Sequence, residues 1–298
     1  MKPSLSAKSC LRSNCARSLV TALLALSHAV AAAEGPARPP MLGPPVLVSE
    51  NNYTWLEGAR WHRETGRLLF SDPHGDTLYE LRSDGAVAVV LTPTRKANNL
   101  DLDLQGRLVA CEITGRVSRY SLVDGSVVDA VSDYGGHTLQ FPNDLAILAD
   151  GTIFFTDSKL RRIFRIDPAG RLHGALPEGS GDAGMNGLAL SPDQTILYAT
   201  HTQAAELRAF AVIDSKRLEV PRLLAKTGKA PDGLCVDREG NIYVGTAEGV
   251  QVFSSSGKAR GVLMLPGLGA KDRVTKCVFG GTDGRRGFSP GLIRIAAV

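Results

Sequence analysis

The sequence predicts an all-β fold, a six-bladed β-propeller, on three observations. First, one local pattern recurs: a polar leader, a short apolar run, a tight turn and a second apolar run. It is clearest in Asp232-Gly233-Leu234-Cys235-Val236, followed by the turn at Gly240 and then Ile242-Tyr243-Val244. Second, the leaders Glu57, Asn98, Asn143, Asn186, Asp232 and Lys276 are separated by 41, 45, 43, 46 and 44 residues. A period of that length, each unit holding several short strands, is the signature of a propeller blade. Third, the turn follows its leader by 8 residues in every copy except the first, where the offset is 9. Innermost strands of a propeller line a central channel, so the leaders form a ring about its axis. A ring of carboxylates and carboxamides is suited to a hard cation.

Taken in order, the chain opens with a basic segment bearing Lys2, Lys8, Arg12 and Arg17. An apolar run from Leu19 to Val30 and the small-residue site Ala31-Ala32-Ala33 complete a secretory signal peptide over residues 1–33. The run is shorter than the roughly 20 residues needed to span a bilayer, and the expected location is periplasmic or secreted, with no membrane association after cleavage. These 33 residues carry four Lys and Arg and no acid, so the formal charge of +4 falls to zero once they are removed. That balance removes the main argument for a nucleic-acid partner. Residues 34–45 hold five prolines and read as an extended lead-in. The propeller is expected over residues 46–298, with Val46 to Ser49 a candidate for closing the ring.

Blade one continues through Leu68-Leu69-Phe70 and Thr77-Leu78-Tyr79, and blade two through Arg116-Val117-Ser118-Arg119-Tyr120, which alternates with period two. Blade three adds Phe155-Thr156-Asp157 and Arg162-Ile163-Phe164. Blade four adds Leu197-Tyr198-Ala199 and Glu206-Leu207-Arg208, and blade five Gly249-Val250-Gln251-Val252-Phe253. The last unit is irregular, since Gly284-Arg285-Arg286-Gly287-Phe288-Ser289-Pro290 is poor strand material. Cys111, Cys235 and Cys277 remain after the leader, an odd set beside predicted strands, and no structural disulfide is expected. Asp72, Asp157 and Asp237 read as turn braces. His62, His74, His137, His173 and His201 share no spacing and are assigned no ligand role.

Read together, these motifs resemble the SMP-30/gluconolactonase (regucalcin-like) family. The carrying residues are Glu57-Gly58-Ala59-Arg60-Trp61, Phe141-Pro142-Asn143-Asp144-Leu145, Asn186-Gly187-Leu188-Ala189-Leu190-Ser191-Pro192-Asp193, Pro231-Asp232-Gly233 and Cys277-Val278-Phe279-Gly280-Gly281. The resemblance implies a six-bladed propeller with one divalent metal in the channel and hydrolysis of sugar lactones and related esters. It places Glu57, Asn186 and Asp232 as direct metal ligands, Asn143 as a further ligand or substrate contact, and Asn98 in the substrate pocket. Three departures stand out: no insertion after Ser158, a disturbed last strand, and Lys276 where a small polar residue is usual.

The chemistry of the residues agrees. Two carboxylates with one or two carboxamide oxygens suit Ca²⁺, and after it Mg²⁺, Mn²⁺ or Zn²⁺. Such an ion polarises a lactone carbonyl, and Asp232, or a carboxylate next to it, could accept the proton of the attacking water. Lys276, one period beyond Asp232, is expected at the channel rim, where its charge opposes a cation. Two alternatives stay open: a non-catalytic propeller that binds a sugar or a protein, and a hydrolase of aryl esters or organophosphates.

Overall fold

Strand follows strand, and the leader pattern sets the rhythm. The computed structural model describes residues 46–49, 53–177, 184–213, 217–265, 268, 272–281, 286–290 and 295–297, all within one compact unit, Arg38–Val298. The signal peptide read at 1–33 and the lead-in at 34–45 lie outside the described residues. After β1 (Val46–Ser49), blade one comprises β2 (Glu57–His62), β3 (Arg67–Asp72), β4 (Thr77–Leu81) and β5 (Val87–Leu91). Blade two comprises β6 (Ala97–Leu102), β7 (Leu108–Glu112), β8 (Arg116–Tyr120) and β9 (Val127–Val131). A small hairpin, β10 (Asp133–Tyr134) and β11 (His137–Thr138), precedes blade three. That blade is β12 (Pro142–Ile147), β13 (Ile153–Asp157), β14 (Arg162–Ile166) and β15 (Leu172–Gly174). Blade four is β16 (Met185–Leu190), β17 (Ile196–His201), β18 (Glu206–Ala211) and β19 (Arg222–Lys226), and blade five is β20 (Leu234–Val236), β21 (Ile242–Thr246), β22 (Gly249–Phe253) and β23 (Ala259–Leu263).

Among the described residues five such blades of consecutive strands are present, not the six expected. Beyond β23 the described residues supply β24 (Val278–Gly280), β25 (Arg286–Pro290) and β26 (Ile295–Ala297), one strand short of a blade. These join β1 in a composite sheet of order β1-β26-β25-β24, in which Val46 faces Ala297 and Leu47 faces Ala296. The sixth leader, Lys276, therefore precedes a sheet made from both ends of the chain. Pairing with β1 covers the edge that β26 would otherwise expose. The poor strand material at 286–290 is extended all the same, because β25 is hydrogen-bonded on both sides, to β24 and β26.

The core lies between blades. Second strands are buried on both faces, and successive residues go to opposite sides: Phe155 of β13 packs with Val109 of blade two, while Phe154 packs with Leu197 and Phe210 of blade four. The same alternation sends Leu108 and Ala110 toward blade one, and Val109 and Cys111 toward blade three. This period of two fixes each blade against both neighbours, and so fixes the positions of the first strands around the channel.

Candidate functional site

The first strands of blades one to four slip register at their leaders. The pairing skips between Glu57 and Arg60, Ala97 and Leu100, Pro142 and Leu145, and Met185 and Leu188. A bulge bends its strand locally and re-aims the extra residues. Gly58 has φ +55°, a conformation that Gly adopts at no steric cost. At Gly187 a Cβ would lie 2.4 Å from the Asp232 carbonyl oxygen, so Gly is what lets two first strands approach so closely.

Hydroxyls on the second strands then clip three of the leaders to the preceding blade. Thr156 Oγ1 donates to the Asn186 carbonyl at 2.8 Å, and Thr200 Oγ1 to the Asp232 carbonyl at 2.7 Å. Ser71 Oγ donates to the Asn98 carbonyl. In blade two the equivalent place holds Cys111, and there Asn98 Nδ2 donates to the Asn143 carbonyl at 3.2 Å instead. Asn98 and Asn143 are thus tied together. Asp72 and Asp157 do brace turns, as expected: Asp72 accepts from the Thr54, Trp55 and Gly75 amides, and Asp157 from those of Gln140, Phe141, Lys159 and Leu160. Asp237 accepts from the Asn241 amide and the Tyr243 hydroxyl.

Glu57 and Asp232 are brought together as buried carboxylates. Burial, and then the negative charge of Asp232, pushes the Glu57 carboxyl well above the usual range, against a 2.9 Å hydrogen bond from Trp55 Nε1 and the charge of Arg273. Burial likewise pushes Asp232 up to about 6, with Arg273 pulling it back. Asn186 stands beside Asp232, and its amide helps hold that carboxylate ionised. Asn186 Nδ2 also donates to Thr202 Oγ1 at 3.1 Å, while its Oδ1 is buried and accepts no hydrogen bond. Asp232 Oδ2 lies 2.9 Å from Arg273 Nε, yet neither atom makes an aligned hydrogen bond. The pair is a Coulombic contact with its lone pairs unspent. The Arg273 guanidinium also sits 5.1 Å over the Trp55 ring, a cation–π contact beside Glu57.

Among the described residues no group of three or more His, Cys, Asp or Glu side chains is placed to hold a metal. The candidate set is smaller and all oxygen: Glu57, Asp232 and the carboxamide of Asn186, with half-buried Asn143 on the same ring of leaders. Two buried carboxylates, both raised chiefly by burial and Glu57 further by the charge of Asp232, next to a buried carbonyl oxygen without a donor, are groups that a cation would satisfy. The residues fit a hard divalent ion.

Lys276 requires a correction. It is buried, and its Nζ lies 2.8 and 2.7 Å from the two carboxylate oxygens of Asp144 in blade three. Its stem passes Gly233, where an added Cβ would lie 2.5 Å from Lys276 Cδ. The charge is neutralised within the protein, not presented at the rim. Asp144 also accepts the Leu145 and Leu188 amides. Burial lifts its carboxyl above the ordinary value, while Asp144 holds the Lys276 ammonium above its own despite burial.

Asp144, Arg273 and Trp55 were not singled out in the sequence. For Asp144 a signal existed: the residue after the leader is Gly58, Gly187 or Gly233 in three units, and a carboxylate there is the exception. Arg273 belongs to no repeated pattern and carried none.

Residues 55–288 match the family described as the SMP-30/gluconolactonase/LRE-like region. A gluconolactonase from Zymomonas mobilis is 27% identical over 277 residues, covering 79% of this chain and 76% of the relative. A lactonase of Staphylococcus aureus, drp35, is 26% identical over 235 residues, covering 71% and 70%. The solved structure of a Xanthomonas campestris gluconolactonase superposes with a TM-score of 0.76 at 32% identity, covering 85% of this chain and 88% of that one. The match spans the bulged leaders and every blade they head, and on that extent the chain belongs to the SMP-30/gluconolactonase/LRE-like family.

Proposed function

We propose that the protein is a lactonase that opens a sugar lactone or related cyclic ester by metal-assisted hydrolysis at the ring of leaders. Gluconolactonase and lactonase relatives support the reaction class. The observation that carries the metal dependence is the buried, donorless Oδ1 of Asn186 beside the carboxylates of Glu57 and Asp232. Glu57, Asn186 and Asp232 would hold the ion, with Asn143 as a fourth oxygen donor. Ca²⁺ suits an all-oxygen set best; Mg²⁺, Mn²⁺ and Zn²⁺ are the alternatives. Bound there, a divalent cation would polarise the lactone carbonyl and offset the charge that develops on its oxygen.

The chain's own groups do the rest. Asp232 Oδ2, lacking an aligned donor, takes the proton of the attacking water and returns it to the ring oxygen as the ester bond opens. Trp55 fixes Glu57 through its indole N–H and carries Arg273 over its face, so the site has one apolar wall and one cationic edge. The signal peptide read at residues 1–33 would place this chemistry in the periplasm or outside the cell.

The test measures metal content, then lactone hydrolysis before and after chelation, for the parent and three variants. Asp232→Asn keeps an oxygen and loses the base, so it should retain more metal than Asp232→Ala while both lose about 10²–10⁴ in rate. Asn186→Ala should be partly restored by excess metal. A second reading, a propeller that binds without catalysis, draws support from Arg273, which already sets a cation against Asp232. Under that reading chelation changes nothing, and no lactone is turned over.

A further inference from the structure

Cys235 of β20 and Cys277 beside β24 lie with their sulfurs 3.2 Å apart. The backbones around them are held in register. The Gly233 amide donates to the Thr275 carbonyl at 2.9 Å, and each cysteine lies two residues beyond one of those partners. Gly233 permits the close approach, since a Cβ there would lie 2.5 Å from the Thr275 oxygen. Cys277 Sγ is fixed further by the Tyr243 carbonyl at 3.2 Å. Cys111 is buried in another inter-blade layer, with Val109 and Phe155, so the odd thiol of the mature chain is set aside from the pair.

Two thiols on neighbouring strands, one of them half-buried, line a cavity of about 380 Å³ together with Arg60, Asp101 and Phe279. A covalent S–S bond of ~2.05 Å requires the sulfurs to close by only about 1.2 Å. We propose that Cys235 and Cys277 form a disulfide that clasps blade five to the composite sheet, and that this is a modification site of the exported protein. The sequence predicts no structural disulfide, and Cys111, Cys235 and Cys277 are all free in this structure; the proposed bond goes beyond that reading. The oxidant is a disulfide of the thiol–disulfide exchange class, such as oxidised glutathione or an oxidoreductase. Cys235, the more exposed partner, attacks it as the thiolate and releases one oxidant thiol. Cys277, as the thiolate, then displaces the second. Two protein thiols become one disulfide, one oxidant disulfide becomes two thiols, and the electrons balance.

The bond would be placed where it matters mechanically. Blade five and the composite sheet meet through a shared apolar cluster around Tyr243, Val274 and Phe279 and through backbone contacts such as Gly233 to Thr275, and the clasp closes a loop that contains β21 to β23. In an oxidising compartment such a pair persists; in a reducing one it stays open.

The test equilibrates the purified full chain with oxidised glutathione, then alkylates in denaturant and maps the peptides. The expected result is one Cys235–Cys277 crosslink, with a mass loss of about 2 Da and Cys111 alkylated. Reduction should lower Tm by roughly 5–10 °C, and Cys235→Ser and Cys277→Ser should melt at the reduced value with or without reductant. The proposal is overturned by free or separately glutathionylated Cys235 and Cys277, by a crosslink through Cys111, or by a Tm indifferent to reductant. Because thiols and melting are read directly, the outcome is independent of whether any lactone is hydrolysed.

Discussion

Lys276 and Asp232 behave in ways their neighbours in sequence do not announce. The position of Lys276 in the ring was legible from the period, but its partner was not, because Asp144 is 132 residues away and only the closed ring brings them together. Removing one member of a buried pair leaves the other charged and unpaired. Lys276→Met should therefore cost about 3–5 kcal/mol, and adding Asp144→Asn should recover at least half of it; a denaturant melt of the single and double variants decides. An additive pair of losses would mean that the two groups do not share one interaction. For Asp232 the sign of the pH effect follows from its carboxyl being raised from 3.8 to about 6. A raised acid contributes stability below its unfolded value that is lost as pH climbs through the folded one. The metal-free protein should thus lose roughly 3 kcal/mol relative to Asp232→Asn between pH 4 and 7, a Tm difference of several degrees. Arg273 keeps its charge throughout that window, so its lost partner adds only a constant, while Glu57, which the Asp232 charge also raises, is relieved in the Asn variant and widens the difference. A difference between the two proteins that is flat with pH would show that Asp232 titrates normally.

At the scale of the element, a leader is useful only if its strand is held to the next blade. Thr200 does this with one hydroxyl, which accepts the Gly187 amide at 2.9 Å and donates to the Asp232 carbonyl at 2.7 Å. Thr200→Val keeps the shape and strands both backbone groups, at a cost of about 2–4 kcal/mol. It should also weaken cation binding by calorimetry, because the strand carrying Asp232 is loosened. Thr200→Ser should restore both. Parental metal affinity in the Val variant would disconnect the clip from the site. The strands themselves were legible, since alternation, turn residues and spacing are local signals, as in Arg116 to Tyr120. The bulges and clips were not. Ser71, Thr156 and Thr200 look like ordinary strand residues until the neighbouring blade's carbonyl stands opposite them. Asn98, which the family resemblance places in the substrate pocket, also donates its amide to the Asn143 carbonyl where Cys111 holds the clip position, a tie the local sequence does not announce.

Over the whole molecule, the repeat announced six units, the last irregular, and the described residues form five blades and a composite sheet closed by Val46–Ser49. A period counts leaders, and Lys276 keeps time; it cannot count the strands that follow. Closure depends on the two chain ends meeting, which no window of local sequence contains. The segment after β1 is bound on both sides of the join: Asp72 holds the Thr54 and Trp55 amides, and Thr275 Oγ1 donates to the Leu56 carbonyl at 2.7 Å. These contacts would survive loss of β1, so truncation isolates what the strand itself does. A chain starting at residue 46 should melt like one that starts at residue 34. A chain starting at residue 50 leaves the β26 edge unpaired and forfeits the ladder to β1, roughly 2–4 kcal/mol for a few hydrogen bonds, or about 5–10 °C in Tm. The open edge should also recruit other copies, so light scattering should rise with concentration for the shorter chain only. Equal melting and a monomeric shorter chain would show that β25 and β24 hold the last sheet without β1, and that Glu57 and Lys276 keep their places through the Thr275 contact alone.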